Sequence, residues 1–560
     1  MAVHNAVGAR QRPQTNRTKS TVITAPMGGI NTRDNLSRGD LDYCMYTYNL
    51  QPSEYGCKMR QGFREFANNI AGLNGVQTLI THATRLTTSE DKLFAVTSEG
   101  IYDISAGGDF TGILPGDQPA GIAFTDTSIQ AGYGSFTQYT NDNNDTVLLY
   151  ADSRNGLLEY TEATETWVYL TDTDIVGPVV ANIRFVMAFK QRLWMIEENS
   201  ADAWYLPVAA KKGTATRFSF GPKFLHGGEM VGLWNWTIDA GVGIDDYLVA
   251  VSRAGDVAVY QGYDPDNAET FENRGLYYIG KIPAGHRIAS EYGGNLNLLS
   301  AFGIVSMQDL ISGVDSATVK DNSLVFKVAP IVRGRMKRTI DQPGWEVSFE
   351  PSAGVLILNF PTAADLLPGL SGRAIQLVMN ITTGAWGFWR DMPMFTNTAW
   401  DGDLYFAAPP ALGGDGSGIV QVQDADLDGV LLDGSGGVPK AFSILSAFSQ
   451  LEELGVHKIV QFIRPQFLAA QKPAVVVQAR YDFNLAELNR NPLVQETDAA
   501  LWDTAVWNVD VWASDVQVPF ETVQGSLGTG RYVAVAMRGT VVGDALLIGW
   551  DVDWETGGFL

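Results

Sequence analysis

The sequence predicts an all-β protein: a β-propeller-like domain of about six to seven hairpin blades joined to a β-sandwich platform. Three observations carry this reading. Hairpin-like segments recur at intervals of about 45–60 residues, the span of one four-stranded blade. Turn formers are abundant, with 59 glycines, while only 18% of residues are charged and long helix-forming runs of Ala, Glu, Lys and Leu are missing. The chain end, ALLIGWDVDWETGGFL, alternates apolar and polar residues as a half-buried strand does.

Residues 1–24 form a basic arm. Arg10, Arg12, Arg17 and Lys19 stand there with no acid among them. The arm reads either as a disordered tail or as a subunit contact laid on an acidic neighbour. Residues 25–74 are too short to fold alone and are expected to pack on the C-terminal platform. Within them, residues 38–51 predict a short helix. Asp40 can cap it, Leu41, Cys44, Met45 and Tyr48 share one face, and Pro52 and Gly56 end it. CKMRQGFREFA then reads as strand and turn.

Residues 75–430 hold the repeat. Its units are KLFAVTSEGIYDI (92–104), VLLYADSRNGLLEY (147–160), RLWMIEENSADAWYL (192–206), YLVAVSRAGDVAVY (247–260), LNLLSAFGIVSM (296–307), VLILNF with AIQLVMNI (within 355–381), and LYFAAPPALGGDGSGIVQV (404–422). Each is an apolar strand, a turn of Gly, Asn, Asp or Ser, and a second apolar strand. A lone hairpin leaves one hydrophobic face bare, whereas a closed ring of them buries that face and leaves only short edges. Unrelated hairpins in β-sandwiches are the competing arrangement.

The Gly- and Asp-rich stretch 411–440 marks a boundary, and residues 431–560 read as the β-sandwich. HKIVQFIRPQFLA and AVVVQARYDF are strands. In the last strand Leu546, Ile548, Trp550, Val552 and Trp554 are expected on one face, and Gly549, Asp551, Asp553 and Glu555 on the other. Trp502, Trp507 and Trp512 are spaced five apart. They read as core rings on a turning chain, with a sugar-binding platform as the alternative.

Chemistry-bearing patterns are sparse. The five histidines, His4, His82, His226, His286 and His457, have no partner at metal spacing, and no GxSxG, Walker, HExxH or GxGxxG motif is present. Catalytic, cofactor and metal residues are therefore expected to be none. Cys44 and Cys57 read as buried free thiols of a reducing compartment. DADLDG, Asp424 to Gly429, resembles half a calcium loop, but Ser435 stands where that loop has its Glu, so a polar hairpin turn is favoured. The net charge of −23 argues against general nucleic-acid affinity, yet an acidic wall lets DNA slide past. The densest basic run outside the arm is VRGRMKR, with Arg333, Arg335, Lys337 and Arg338, a candidate contact for DNA or for a neighbouring subunit's acids. No signal-peptide pattern begins the chain, and no segment approaches the ~20 apolar residues of a membrane helix.

The stretch APMGGINTRDNLSRGDLDYCMYTYNLQPSEYGCKMRQGFREFA resembles the start of tail nozzle and packaged-DNA stabilisation proteins of short-tailed, podovirus-type bacteriophages. The matching positions are Gly28, Gly29, Ile30, Asn31, Arg33 and Asp34, then Asn49 and Pro52, then Arg60, Gly62 and Phe63. The hairpin LFAVTSEGIYDI and the closing GTGRYVAVAMRG and WDVDWETGGFL are similar too. YCMYTYN departs from the pattern, where small or aliphatic residues are usual. The resemblance implies a virion structural protein, not an enzyme, of the head–tail connector region. It would form a homohexameric tube below the portal and adaptor that retains packaged DNA and conducts it during ejection. The implied partners are adaptor or head-to-tail ring proteins, tail fibre or needle proteins, and genomic DNA passing without sequence recognition. The implied location is the virion tail, assembled in the bacterial host cytoplasm. A receptor-binding or carbohydrate-active propeller tail protein is the alternative. TEATETW (161–167) and NITTGAW (380–386) both lack the Asp-box of sialidase-type propellers.

Overall fold

The computed structural model describes residues 18–85, 90–141, 145–239, 244–292, 294–312, 323–361, 375–408, 418–490 and 518–557. All seven repeat units are hairpins in it, and each supplies the two middle strands of one blade. Blade one is Thr78–His82, Lys92–Val96, Gly100–Asp103 and Ile122–Ala123. Blade two is Ser135–Thr140, Thr146–Asp152, Gly156–Thr161 and Thr166–Tyr169. Blade three is Ile183–Phe189, Arg192–Glu197, Asp202–Tyr205 and Thr216–Ser219. Blade four is Met230–Asp239, Ile244–Ser252, Asp256–Gly262 and Phe271–Tyr278.

Blade five has three strands among the described residues, Ala289–Tyr292, Asn295–Ser300 and Gly303–Ser306. Along the edge of Gly303–Ser306, where the other blades carry a fourth strand, the Leu324 N–H donates to the Ile304 carbonyl, and the helix Ala329–Thr339 packs nearby. Blade six is Glu346–Glu350, Val355–Asn359, Ile375–Asn380 and Trp386–Arg390. Blade seven takes three strands from late in the chain, Thr396–Trp400, Asp403–Ala408 and Gly418–Ala425. Its fourth, Gly62–Ile70, comes from near the start and pairs antiparallel with Gly418–Ala425. Pairing the two ends of the propeller in one sheet ties the ring shut.

Between successive blades lie apolar layers. Phe94 meets Tyr160 and Trp167 between blades one and two, and Trp194 meets Phe271 between blades three and four. Ala67, Tyr405 and Val420 of blade seven pack with Leu79 and Leu93 of blade one, which completes the circle. Closure buries the face that each hairpin would otherwise leave bare.

The last strand of blade six does not end the sheet. Trp386–Arg390 continues through Gly29–Ile30, Tyr43–Tyr48, Lys440–Ser446, Val533–Val541 and Ala474–Tyr481, so one nine-stranded sheet runs from the ring into the platform. A second sheet packs on that extension. It contains Leu50–Ser53, Gly56–Met59, Ala545–Thr556, Lys458–Ala469 and Val518–Glu521, with Lys19–Thr24 beside Ala545–Thr556. Phe442 and Phe467 meet between the sheets at 5.9 Å, in a core with Met537, Trp550 and Trp554.

Several expectations change. Residues 38–51 are not a helix. Leu36–Arg38 is a single 3-10 turn capped by Asn35, and Tyr43–Tyr48 is a strand. YCMYTY, with three Tyr and one Thr, has partners on both edges, which outweighs the weak helical spacing. Residues 25–74 do not all join the platform, since Gly62–Ile70 belongs to blade seven. In the last strand Ile548 is a bulge: Gln466 faces Gly549 and Phe467 faces Leu547. The extra residue flips the phase, so Leu547 is buried while Leu546 and Ile548 turn outward. Trp502, Trp507 and Trp512 lie outside the described residues. Cys44 and Cys57 are buried and free, as expected.

Candidate functional site

The opening motif residues, Gly29, Asn31, Asn49, Arg60, Gly62 and Phe63, lie at the joint between ring and platform. Asn49 sits at the corner between Tyr43–Tyr48 and Leu50–Ser53, where the chain crosses from one platform sheet to the other. Its φ of 65° is a conformation that Asn tolerates better than most residues. Its side chain is fully buried and fully engaged. Nδ2 donates to the Ala441 carbonyl at 2.7 Å, and Oδ1 accepts from Arg60 Nε at 3.0 Å and from the Arg390 N–H at 2.6 Å. Three chain segments, from the N-terminal piece, blade six and the platform, thus meet at one amide.

Arg60 extends the network. Its two terminal nitrogens reach Asp428 Oδ1 and Oδ2, both at 2.7 Å, in a fork against a carboxylate. They also donate to the carbonyls of Gln61 at 2.9 Å and Arg390 at 3.2 Å. The Arg60 side chain is 0% exposed and that of Asp428 is 9% exposed. Beside it, Arg390 lies 4.3 Å over the Tyr48 ring and donates to Glu487 at 2.9 and 3.1 Å. Gly62 follows at a point where a Cβ would stand 2.1 Å from the Leu427 carbonyl, so the backbones touch. Phe63 then packs edge-on against Phe406 of blade seven at 5.6 Å.

The GGINTRD entry grips the ring at blades five and six. Gly29 has φ +76°, and a Cβ there would lie 2.5 Å from the Trp386 carbonyl. Asn31 closes the next turn: Oδ1 accepts from the N–H groups of Arg33 and Asp34 at 3.2 Å, and Nδ2 donates to Asp34 at 2.7 Å. Asp34 accepts from Lys327 at 3.0 Å. Those hydrogen bonds, from Asn31 and then Lys327, hold its carboxyl below the usual range. Arg33 stacks 3.4 Å over Phe326. The entry therefore clamps the segment Phe326–Val328 that leads into the helix Ala329–Thr339.

The hub of the ring is a cavity of 440 Å³ lined from all seven inner strands, with Thr78, Thr137, Asn235, Glu346 and Thr398 among its walls. Its ionisable groups cross-link the blades. Arg287 donates to the Gln77 carbonyl at 2.8 Å and to Thr78 Oγ1 at 2.7 Å, and lies 4.4 Å over Tyr133. His286 Nε2–H donates to the Gly134 carbonyl at 2.9 Å, and burial, then the Arg287 charge, push its pKa down to about 3. Burial raises the Glu346 pKa against the opposing pull of Arg287. Among the described residues, no group of three or more His, Cys, Asp or Glu side chains is placed to hold a metal ion.

The other sequence candidates are dispersed. The helix Ala329–Thr339 carries VRGRMKR, with Arg333, Lys337 and Arg338 exposed. Arg335 departs from the expected exposed run: it is 2% exposed and lies 4.5 Å over Phe360, so it is packed inside its own chain. It falls on the helix stripe of Val332, Met336 and Thr339 that packs inward. Arg10, Arg12 and Arg17 lie outside the described residues. Lys19, expected on a neighbouring subunit, is instead paired with Glu453 of its own chain and lies 5.2 Å from the Trp554 ring. In DADLDG, Asp424 is taken by Arg64 and Asp428 by Arg60, so the turn's carboxylates serve arginines. Arg390 and Glu487 are joint residues that sequence reading missed, and Asp428 is legible only as part of the DADLDG turn. Nothing local marks them, because their partners lie far away along the chain.

No family model and no curated protein matches the chain. Solved structures with similarity include a putative 6-phosphogluconolactonase from Bacteroides fragilis, at 11% identity and TM-score 0.31, covering 59% of this chain and 86% of that one. Raptor from Chaetomium thermophilum aligns at 11% identity and TM-score 0.35, over 68% of this chain and 30% of its own. The β-propeller domain of Cps50 (Swd1) from Myceliophteria thermophila aligns at 10% identity and TM-score 0.33, over 65% of this chain and 99% of its own.

Proposed function

We propose that this chain is a virion structural protein, one subunit of a hexameric tail nozzle below the portal and adaptor of a short-tailed phage. In that role it retains packaged DNA and conducts it during ejection. The observation that carries the reading is the joint. The residues on which the resemblance to nozzle proteins rests are also those that weld the ring to the platform, through Asn49, Arg60 and the Gly29 crossing. A tube wall under pressure needs a stiff link between its parts, and a continuous sheet with a buried, satisfied polar knot is one. The cavity supports the same reading, since its arginine and histidine are engaged in holding blades together.

Adaptor rings, tail fibres or a needle, and DNA passing through the bore are the partners this role requires, in a virion tail assembled in the host cytoplasm. Negative-stain microscopy and native mass of the purified full chain test it. Six-fold rings or tubes are expected. A fibrous trimer, a protein that stays monomeric, or release of reducing sugar from host surface polysaccharide would overturn it in favour of a receptor-binding or carbohydrate-active propeller.

A further inference from the structure

The helix Ala329–Thr339 packs beside Gly303–Ser306 of blade five and turns Arg333, Lys337 and Arg338 to solvent. Among the described residues none of the three has a carboxylate partner, although most cations of the ring are paired: Lys92 with Asp103, Lys190 with Asp246, Arg253 with Glu229 and Lys281 with Asp341. Arg333 and Lys337 are four apart, a like-charge spacing that weakens a helix. Beneath them Arg335 is buried with Nε and Nη1 unpartnered among the described residues. Four positive charges within about two turns have no carboxylate partner among the described residues, in a chain of net charge −23.

Blade seven shows the opposite imbalance. Asp401 lies in the turn after Thr396–Trp400, Asp403 opens the next strand, and Asp424 stands beside them on Gly418–Ala425. Arg64 pairs with Asp424 at 2.7 Å and is the one cation in ion-pair range of the three, among the described residues. Lys58 and Asp403 line one groove. Partial burial, then the charges of Asp424 and Asp401, raise the pKa of Asp403. Each cluster repels itself within one chain, and each would be relieved by the other.

We propose that the exposed face of the helix Ala329–Thr339 docks on the Asp401, Asp403 and Asp424 cluster of a second copy of this chain. This rests on the ring assembly proposed above and names its interface. A closed ring needs two different, complementary faces on every subunit, and these two patches supply unlike charge at separate places on one chain. A helix patch built for DNA is the competing occupant.

The test is a charge swap in the full chain. One variant carries Arg333→Glu, Lys337→Glu and Arg338→Glu; the other carries Asp401→Lys and Asp403→Lys. Four of the five positions are exposed and Asp403 is half-buried, and thermal melts check that each variant folds. Alone, each variant faces like against like and should associate about a hundredfold or more weaker than wild type. Mixed, they should restore rings at equal stoichiometry, because alternating copies oppose unlike charges at every interface. A single chain carrying all five changes should also assemble. Wild-type rings should weaken with salt. Reversed variants that assemble like wild type would overturn this inference alone. So would a mixture that stays dissociated, or a helix variant that assembles normally but loses the wild-type chain's binding to duplex DNA. A wild-type chain monomeric at every salt concentration would overturn the ring itself.

Discussion

Replacing Arg60 by Met should loosen the whole molecule, because the side chain it removes is the centre of the joint. The guanidinium is fully buried and its partner Asp428 nearly so. Deleting one member of such a pair leaves an uncompensated buried charge and costs about 3–5 kcal/mol. The companion variant Arg60→Met/Asp428→Leu removes that charge. Its remaining loss comes from the oxygens of Asn49, Gln61 and Arg390, which no longer receive Arg60 donors. At roughly 1 kcal/mol each, with Asn49 still bonded to the Arg390 N–H, the double variant should lose about 1–3 kcal/mol. Urea unfolding followed by tryptophan fluorescence reads both, since Trp386 and Trp389 lie in the adjoining strand. Hydrogen exchange in Tyr43–Tyr48 and Lys440–Ser446 shows whether the joint opens first. A single variant losing under about 1 kcal/mol, as an exposed pair would, refutes the reasoning. So does a double variant as unstable as the single.

Gly29→Ala should cost more than Gly384→Ala. Both have positive φ, +76° and +68°, worth about 1–2 kcal/mol of backbone strain, but only the first drives a Cβ into the Trp386 carbonyl. Equal melting losses would contradict this. Glu346→Gln should stabilise the protein increasingly as pH rises above 4.5. The folded pKa of Glu346 is raised, so the native state holds more protons than the unfolded one in that window, and wild-type stability falls with pH while the Gln variant escapes the fall. A pH-independent difference in denaturation free energy would rule this out. Cys44 and Cys57, whose thiol pKa values burial raises, should resist a thiol reagent in the native protein and both react after denaturation. Stoichiometric labelling without denaturant would show the burial to be wrong.

Repeated local patterns were legible in the sequence. Each blade's two middle strands are apolar runs around a turn of small polar residues, so alternation and turn chemistry mark them directly, from KLFAVTSEGIYDI to LYFAAPPALGGDGSGIVQV. The opening motif was legible as a motif, and its glycines mark positions where backbones touch. Which touching partner each has was not.

Tertiary pairing decided the rest. Tyr43–Tyr48 has a helix-like stripe but became a strand because partners on both edges satisfied its backbone. Ile548 reads as one more core position, yet a single bulge turned it outward, since a strand's period of two allows no tolerance for an inserted residue. Arg335 reads as one cation among four, and only the helix's packing face put it inside. The closure of blade seven by Gly62–Ile70 and the meeting of Asn49, Arg60, Arg390 and Asp428 join residues more than 300 positions apart. Local propensity speaks for a few neighbouring residues, whereas such contacts exist only once the ring has closed.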